Sequence, residues 1–171
     1  MSEEPGAWQV VPSTPEQIEA AARDCRRMVS RRALFAAGVS AVPVPGVDWA
    51  TNIGVLLKLL PDINERFGLS PQQIERLAPE RRLAVFKAIT AGGAMLVGRV
   101  VTREVVISTL RVVGVRLSAQ QAARYVPIAG QGLAAALTYG ALRYVCEQHI
   151  RQCQAVCAQL RLPAPTDVVG S

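Results

Sequence analysis

The sequence predicts an all-α protein, a multi-helix bundle with two helical hairpins that proline and glycine break. Thr14, Ser70 and Ser118 are each followed three positions later by Gln. This spacing is typical of a capping box, in which the hydroxyl and the Gln side chain bond the free N–H groups at a helix start. The apolar half of the chain is mainly Ala, Val, Leu and Ile, with 13 Gly and only 5% aromatics. That mixture favours close helix packing.

The first hairpin begins at the first capping box. We expect a helix over 15–30 that continues or breaks near Ser30 into apolar residues as far as Val42. Pro43-Val44-Pro45-Gly46 predicts a turn, because proline cannot continue a helix and glycine tolerates left-handed backbone.

Three further helices are predicted in the middle of the chain. One spans 48–67, with Pro61 kinking it and Gly68 capping its end. A short helix covers 71–77. A long apolar helix is expected to begin near Glu80 and to reach at least Val101.

The second hairpin is predicted where Ala119–Val126 leads into Pro127-x-x-Gly130 and a helix that contains Gly140. Residues 102–116 are rich in β-branched side chains, but other strand signals are absent, so we expect a helix. A helix over about 119–125, a break at 127–130 and a long helix to about Leu160 follow.

The length of 171 residues predicts one helical domain over 13–162. Residues 1–12 and 163–171 are expected to be loose tails.

The net charge of +6, with 17 Arg among 19 basic residues, suggests nucleic acid or anionic lipid as a partner. There is no zinc-finger spacing and no aromatic run of the RNA-binding type, so we expect no nucleic acid. Basic residues also precede the first apolar stretch, which is expected either beside anionic headgroups or on a solvated helix face. They are Arg23, Arg26, Arg27, Arg31 and Arg32.

The N-terminal residues indicate a cytoplasmic protein. Met-Ser-Glu-Glu-Pro is acidic and lacks the apolar core of a signal peptide, so the four cysteines should be reduced. Ser2 excludes myristoylation.

No segment resembles a conventional transmembrane helix. Residues 84–116 contain six charged side chains, and 33–47 has only 15 uncharged residues. Residues 125–142 reach 18 uncharged residues but include Pro127 and three Gly, which makes a span marginal. Peripheral or partial insertion at the membrane is therefore the expected mode.

Apolar residues continue through both breaks, Pro43-x-x-Gly46 and Pro127-x-x-Gly130. Two interpretations stay open: hairpins packed in a soluble core, or hairpins that lie in or on a bilayer. Small residues at four-residue spacing fit either interpretation. They are Ala88 with Gly92, Ala94 with Gly98, and Gly132 with Ala136 and Gly140.

The only histidine lies in a cysteine-rich stretch. Cys146, His149, Cys153 and Cys157 fall within three turns of one helix and are the candidate metal ligands. One straight helix cannot close a tetrahedral site, so we expect these side chains to line a packed seam instead. The carboxylates are scattered and no phosphate-binding glycine loop occurs, so neither a cofactor nor an enzyme is expected.

Two runs resemble a known family. Val42-Pro43-Val44-Pro45-Gly46-Val47-Asp48-Trp49-Ala50, continuing to Leu60 and to Arg66-Phe67-Gly68-Leu69, forms the first. Tyr125-Val126-Pro127-Ile128-Ala129-Gly130-Gln131, with Arg143-Tyr144 and His149-Ile150-x-x-Cys153, forms the second. Both are similar to the domain of unknown function shared by YcjF-type inner-membrane proteins and the C-terminal regions of bacterial Era-like GTPases.

The resemblance covers about residues 30–160 and implies a helical, membrane-associated region that works beside a GTPase. It singles out Pro43, Pro45, Gly46, Asp48, Pro127, Gly130 and Gln131 as motif residues. The chain has no P-loop, so a GTPase would be a separate chain.

Three functions follow as hypotheses. The first is a non-catalytic module on the cytoplasmic face of a bacterial inner membrane, bound to lipid or to a membrane protein. The second is a soluble helical adaptor or a homo-oligomer. The third is a metal or redox function of the cysteine and histidine stripe.

Overall fold

The computed structural model describes residues 11–40, 47–94, 96–121 and 130–161, and these residues form an all-helical bundle. The helices are α1 (Pro15–Ser40), α2 (Val47–Arg66), α3 (Pro71–Glu75), α4 (Pro79–Ala91), α5 (Arg103–Gln121) and α6 (Gly130–Arg161). No strand occurs within these ranges. The predicted fold class is confirmed, including the helical state of the β-branched segment that became α5.

Two of the three predicted capping boxes are present. The Thr14 hydroxyl accepts a hydrogen bond from Gln17 N at 3.2 Å, and the Gln17 side chain accepts one from Thr14 N. Ser70 and Gln73 make the same reciprocal pair at the start of α3. The third prediction is wrong, because α5 runs on through Ser118 without a new start. The residues before it are already helical, so no free N–H groups need a cap there.

α2 ends where Gly68 predicts. Gly68 has a φ of 67°, its N–H donates to Glu65 O, and Leu69 N donates to Asn64 O at 2.8 Å. This pair of bonds is the Schellman motif, which satisfies the last carbonyls of a helix. α1 needs no break at Ser30, whose hydroxyl donates to a carbonyl one turn earlier.

The predicted long helix over 80–101 is wrong. α4 ends at Ala91, where Gly93 adopts a φ of 61° and Ala94 N donates to Ile89 O at 3.1 Å. The Gly92-Gly93 pair supplies a left-handed helix end at no steric cost, and this outweighs the apolar residues that follow. Residues 92–94 and 96–102 form turns and irregular structure before α5 begins.

α1 and α6 pack antiparallel along most of their length. The Gln154 amide donates to Glu19 at 3.1 Å, and Arg143 donates to the Ser30 hydroxyl at 2.8 Å. These two contacts fix the register, so the end of α1 lies beside the start of α6. α2 packs against both helices, and α4 and α5 cover α6.

The register gives the bundle two distinct ends. At one end α1 leads to α2 and α5 leads to α6; we call this end the hairpin pole. Its described residues are 31–40, 47–58, 111–121 and 130–144. At the other end, the cap pole, lie residues 11–20, 67–94, 96–101 and 150–161.

The two predicted hairpins are therefore α1 with α2 and α5 with α6, each a packed pair. The turns within them, 41–46 and 122–129, lie outside the described residues. So do the predicted tails, apart from Pro12, which is buried, and Val11, which packs against the core.

Candidate functional site

The cysteine and histidine stripe of α6 is buried in the bundle. His149 Nε2 donates to Asn64 Oδ1 at 2.9 Å, and the Cys153 thiol donates to the same oxygen at 3.6 Å. The Asn64 amide in turn donates to the Leu96 carbonyl at 3.2 Å. This network joins α2, α6 and the turn after α4, so its first role is to hold three segments together.

The burial of His149 keeps its ring neutral. Desolvation lowers the pKa of His149 to about 4, against weaker opposing effects of Gln152 and the Leu60 backbone. Its Nδ1 accepts no hydrogen bond from any described residue. The Cys153 Sγ lies 4.0 Å from Nε2, but that nitrogen already donates its hydrogen to Asn64, so the lone pair of the neutral ring is on Nδ1.

The four cysteines are buried thiols whose burial disfavours the thiolate form. Cys25, Cys146, Cys153 and Cys157 are all buried in the hydrophobic core. Burial raises the pKa of Cys25, Cys146 and Cys157 to about 12, and raises that of Cys153 well above its ordinary value. Since the thiolate is the nucleophile and the metal ligand, these thiols are in the inert form. Among the described residues, no group of three or more His, Cys, Asp or Glu side chains is placed to hold a metal.

The family-like motif residues fall at the hairpin pole. Asp48 is in the first turn of α2, and Gly130 and Gln131 open α6. The structure therefore brings the two motifs to one end of the molecule, although they are about 80 residues apart in the sequence. Pro43, Pro45, Gly46 and Pro127 lie outside the described residues.

The charge of the two ends differs only modestly. The described residues of the hairpin pole include six basic residues and one acidic residue, a net charge of +5. Those of the cap pole include seven basic and four acidic residues, a net charge of +3. The hairpin pole is therefore the more basic of two positive ends.

The five arginines predicted as a headgroup cluster divide into two groups. Arg26 is held by Glu147 and Glu19, and Arg32 donates to Asp62 at 2.6 Å. The other three are exposed and follow one another at four-residue spacing on the outer face of α1, forming what we call the basic stripe. They are Arg23, Arg27 and Arg31.

The basic stripe continues into exposed apolar side chains. Phe35 lies one turn beyond Arg31 and is 71% exposed, and its neighbour Leu34 is 61% exposed. The next turn has the exposed Gly38, and the apolar residues of the first motif follow α1 in the sequence. Positive charge followed by exposed apolar surface is typical of helices that lie at a membrane interface.

Three exposed helical glycines also mark the hairpin pole. A Cβ added at Gly38, Gly54 or Gly140 would meet no atom within 4 Å. Glycine in an exposed helix interior costs about 1 kcal/mol relative to alanine, and here no described neighbour requires it. By contrast, a Cβ added at Gly98, at the cap pole, would lie only 2.8 Å from the Ile74 side chain. The two poles thus use small residues in different ways.

Comparison with protein-family models, curated proteins and solved structures finds no match to this chain. None of the helices, within the residues described, is both long and apolar enough to cross a membrane.

The sequence identifies the five arginines as a cluster. It does not show which of them are paired with carboxylates, which are exposed, or at which end of the bundle they lie. The missing information was the register of α1 against α6, which shows that Arg26 faces Glu147. One sequence feature does indicate a basic region: no acidic residue occurs between Glu104 and Glu147.

Proposed function

We propose that this protein is a non-catalytic helical module that docks on an anionic membrane surface through its hairpin pole. The observation that carries the proposal is the basic stripe of α1, which leads directly to exposed Leu34 and Phe35. The arginines would meet lipid phosphates while the two apolar side chains enter the interface. Following the family resemblance, the membrane is proposed to be the cytoplasmic face of a bacterial inner membrane.

The expected strength is that of a peripheral, reversible contact. Each arginine near an anionic surface contributes roughly 1 kcal/mol. Burying the exposed parts of Leu34 and Phe35 adds about 3 kcal/mol. The total, about 6 kcal/mol, is close to the membrane affinity of a single acyl chain, which anchors a protein only reversibly.

A GTPase on a separate chain is the protein partner that the resemblance suggests. Both family-like motifs lie at or border the hairpin pole, which the basic stripe reaches at Arg31, so a partner that contacts them would sit close to the membrane surface. This part of the proposal is tested by adding a candidate GTPase to vesicle-bound protein and measuring whether it is recruited.

Vesicle sedimentation tests the membrane proposal. We expect binding to vesicles with about 30% phosphatidylglycerol and little binding to pure phosphatidylcholine. Replacing Arg23, Arg27 and Arg31 by Gln should weaken binding about tenfold or more, and Phe35→Ser should weaken it further. The control variant replaces Arg81, Arg103 and Arg161, which are exposed toward the cap pole, and should bind within about twofold of the wild type. Equal losses in both triple variants would contradict docking through the hairpin pole.

The open glycines favour a second candidate, a soluble adaptor or homo-oligomer in which another helix packs closely on the hairpin pole. Gly140 belongs to an exposed strip of α6 with Ala136 and Tyr144. Light scattering in the absence of lipid and detergent separates the two. A stable dimer that Gly140→Leu dissociates would support the adaptor, while a monomer that binds anionic vesicles would support the membrane module.

A further inference from the structure

The cap pole has a groove of about 500 Å³ between α4, the last turns of α6 and residues 11–13. Val85 of α4 and Cys157 of α6 form its floor, and both are almost completely buried. The Cys157 thiol is uncharged, since burial raises its pKa to about 12. Leu77 and Leu160 add partly buried apolar walls. The floor and walls of the groove are therefore apolar.

Two arginines form the rim of the groove. Arg81 and Arg161 both line it, both are exposed, and each lies one helical turn from the floor residue of its own helix. Neither makes an ion pair with another residue that the structure describes. The exposed Glu16 carboxylate has a lowered pKa mainly because of its own backbone N–H and the Thr14 hydroxyl, and Arg161 contributes least. The two guanidinium groups are therefore available to a ligand.

The shape and charge of the groove select the chemistry of this ligand. A purely apolar molecule would leave both guanidinium groups unused, and a small anion would leave the apolar floor uncovered. A methylene group occupies roughly the 30 Å³ that a water molecule takes up in the liquid. A chain of about twelve carbons would thus fill about 360 Å³ and leave room for a carboxylate. A single-chain amphiphile with an anionic head matches both parts of the groove.

We propose that this groove binds a fatty acid. The hydrocarbon chain lies on Val85 and Cys157, where it replaces water on the apolar floor. The carboxylate lies between Arg81 and Arg161, and hydrogen bonds between guanidinium and carboxylate groups are roughly twice as strong as neutral ones. The site is at the opposite end of the bundle from the hairpin pole, so it does not depend on the proposed membrane docking.

Isothermal titration calorimetry of the full chain with dodecanoate, without vesicles and below the critical micelle concentration, tests the site. We expect one dodecanoate to bind per chain. Decanoate should bind about tenfold more weakly, because each methylene buried in an apolar site contributes roughly three- to fourfold. Absence of binding, or uptake of several molecules per chain with no dependence on chain length, would overturn the proposal.

Removing the charges of the rim tests the position of the carboxylate. Arg81→Gln with Arg161→Gln should weaken dodecanoate binding about tenfold or more. The matched control is Lys87→Gln with Arg151→Gln, which removes one exposed charge from each of the same two helices outside the groove. This control should bind dodecanoate within about twofold of the wild type. Equal losses in the two double variants would show attraction by overall charge and would contradict the site.

Filling the groove tests the position of the chain. Ala84 lines the groove and is exposed, so Ala84→Trp places an indole in the groove without disturbing the core. It should weaken dodecanoate binding at least about tenfold. The matched control is Ala158→Trp, at an exposed position of α6 outside the groove, and it should leave binding unchanged. Circular dichroism shows that both variants are folded. Unchanged dodecanoate binding by folded Ala84→Trp would overturn the proposal.

Discussion

Phe67 at the cap pole is completely buried, whereas Phe35 at the hairpin pole keeps 71% of its surface exposed. Exposure is a property of the individual site, however, since Phe86 and Val100 at the cap pole are 48% and 72% exposed. Glycine shows the same contrast between sites, since Gly98 is tightly enclosed and Gly140 is open. Charge adds little to the contrast, because the described residues of the hairpin pole and the cap pole carry +5 and +3.

The contrast shows that enclosed sites such as Phe67 and Gly98 contribute to stability, whereas open sites such as Phe35 and Gly140 do not. Exposed apolar side chains lower the solubility of a monomer, and exposed helical glycines lower its stability. Natural proteins retain such features chiefly where function requires them. Matched substitutions at an enclosed site and an open site must therefore have different effects on stability.

The largest difference is expected for the two phenylalanines. Phe67→Ala should lower the free energy of unfolding by about 3–5 kcal/mol, because it empties a fully enclosed volume. Phe35→Ala should change it by less than about 0.5 kcal/mol, because little of the ring is buried. Urea denaturation followed by circular dichroism measures both. A loss above about 2 kcal/mol for Phe35→Ala would mean that the hairpin pole is part of the core.

The next largest effect is expected for the buried His149, which makes the stability of the fold depend on pH. The folded pKa of about 4 lies below the ordinary 6.5, so the unfolded chain binds more protons between these values. Stability is therefore complete above pH 6.5 and falls as the pH decreases toward 4, by about 3 kcal/mol in all. Denaturation curves recorded from about pH 7 to 4.5 should show most of this loss.

The matched variant for this test is His149→Gln, which keeps a donor for Asn64 but does not titrate. Its stability should be nearly constant between about pH 6.5 and 4.5. The pKa of Glu147 is also lowered, mainly by its hydrogen bond with Arg26, but from 4.5, so it contributes only at lower pH. A slope that persists in His149→Gln would assign the pH dependence to another group.

The glycines should respond with opposite signs. Gly98→Ala is expected to destabilise by about 1–3 kcal/mol, because its φ is 69° and the new Cβ would meet Ile74 at 2.8 Å. Gly140→Ala should stabilise by about 1 kcal/mol, because the helix gains propensity and the added methyl meets nothing. Thermal melts of the two variants show the direction directly. Destabilisation by Gly140→Ala would show that the position is already packed within the monomer.

The sequence predicted what depends on local chemistry. The caps at Thr14 and Ser70 and the stop at Gly68 were predictable, because each bond lies within a few residues. The capping box predicted at Ser118 is wrong, since a hydroxyl caps a helix only where the preceding chain is not already helical. The helix predicted beyond Ala91 is also wrong, because the Gly92-Gly93 pair ends α4 despite the apolar residues that follow.

The candidate site was less predictable, because it depends on long-range register. Arg26 and Arg27 are adjacent in sequence, yet only the packing of α1 on α6 turns one inward to Glu147 and the other outward. The same packing joins His149 to Asn64, 85 residues away. No pattern within one helix indicates which distant residue will be the partner.

The smallest expected difference is between these two arginines. Arg26 binds Glu147 through both Nε and Nη2, at 3.0 Å, and reaches Glu19 through Nη1. Arg26→Met should cost about 1 kcal/mol, since the pair is only partly shielded from solvent. Arg27 stands 3.9 Å from Asp24 with both side chains largely exposed, so Arg27→Met should leave stability unchanged.

Vesicle binding should reverse this order. Arg27→Met removes an outward charge and should weaken binding to anionic vesicles by about fivefold, as expected for roughly 1 kcal/mol. Arg26→Met should have a smaller effect, because its charge is already balanced by two carboxylates. Because the two residues are neighbours on one helix, total charge and helix content are the same in both variants. Equal vesicle binding by the two would show that net charge alone, and not the outward face of α1, determines attachment.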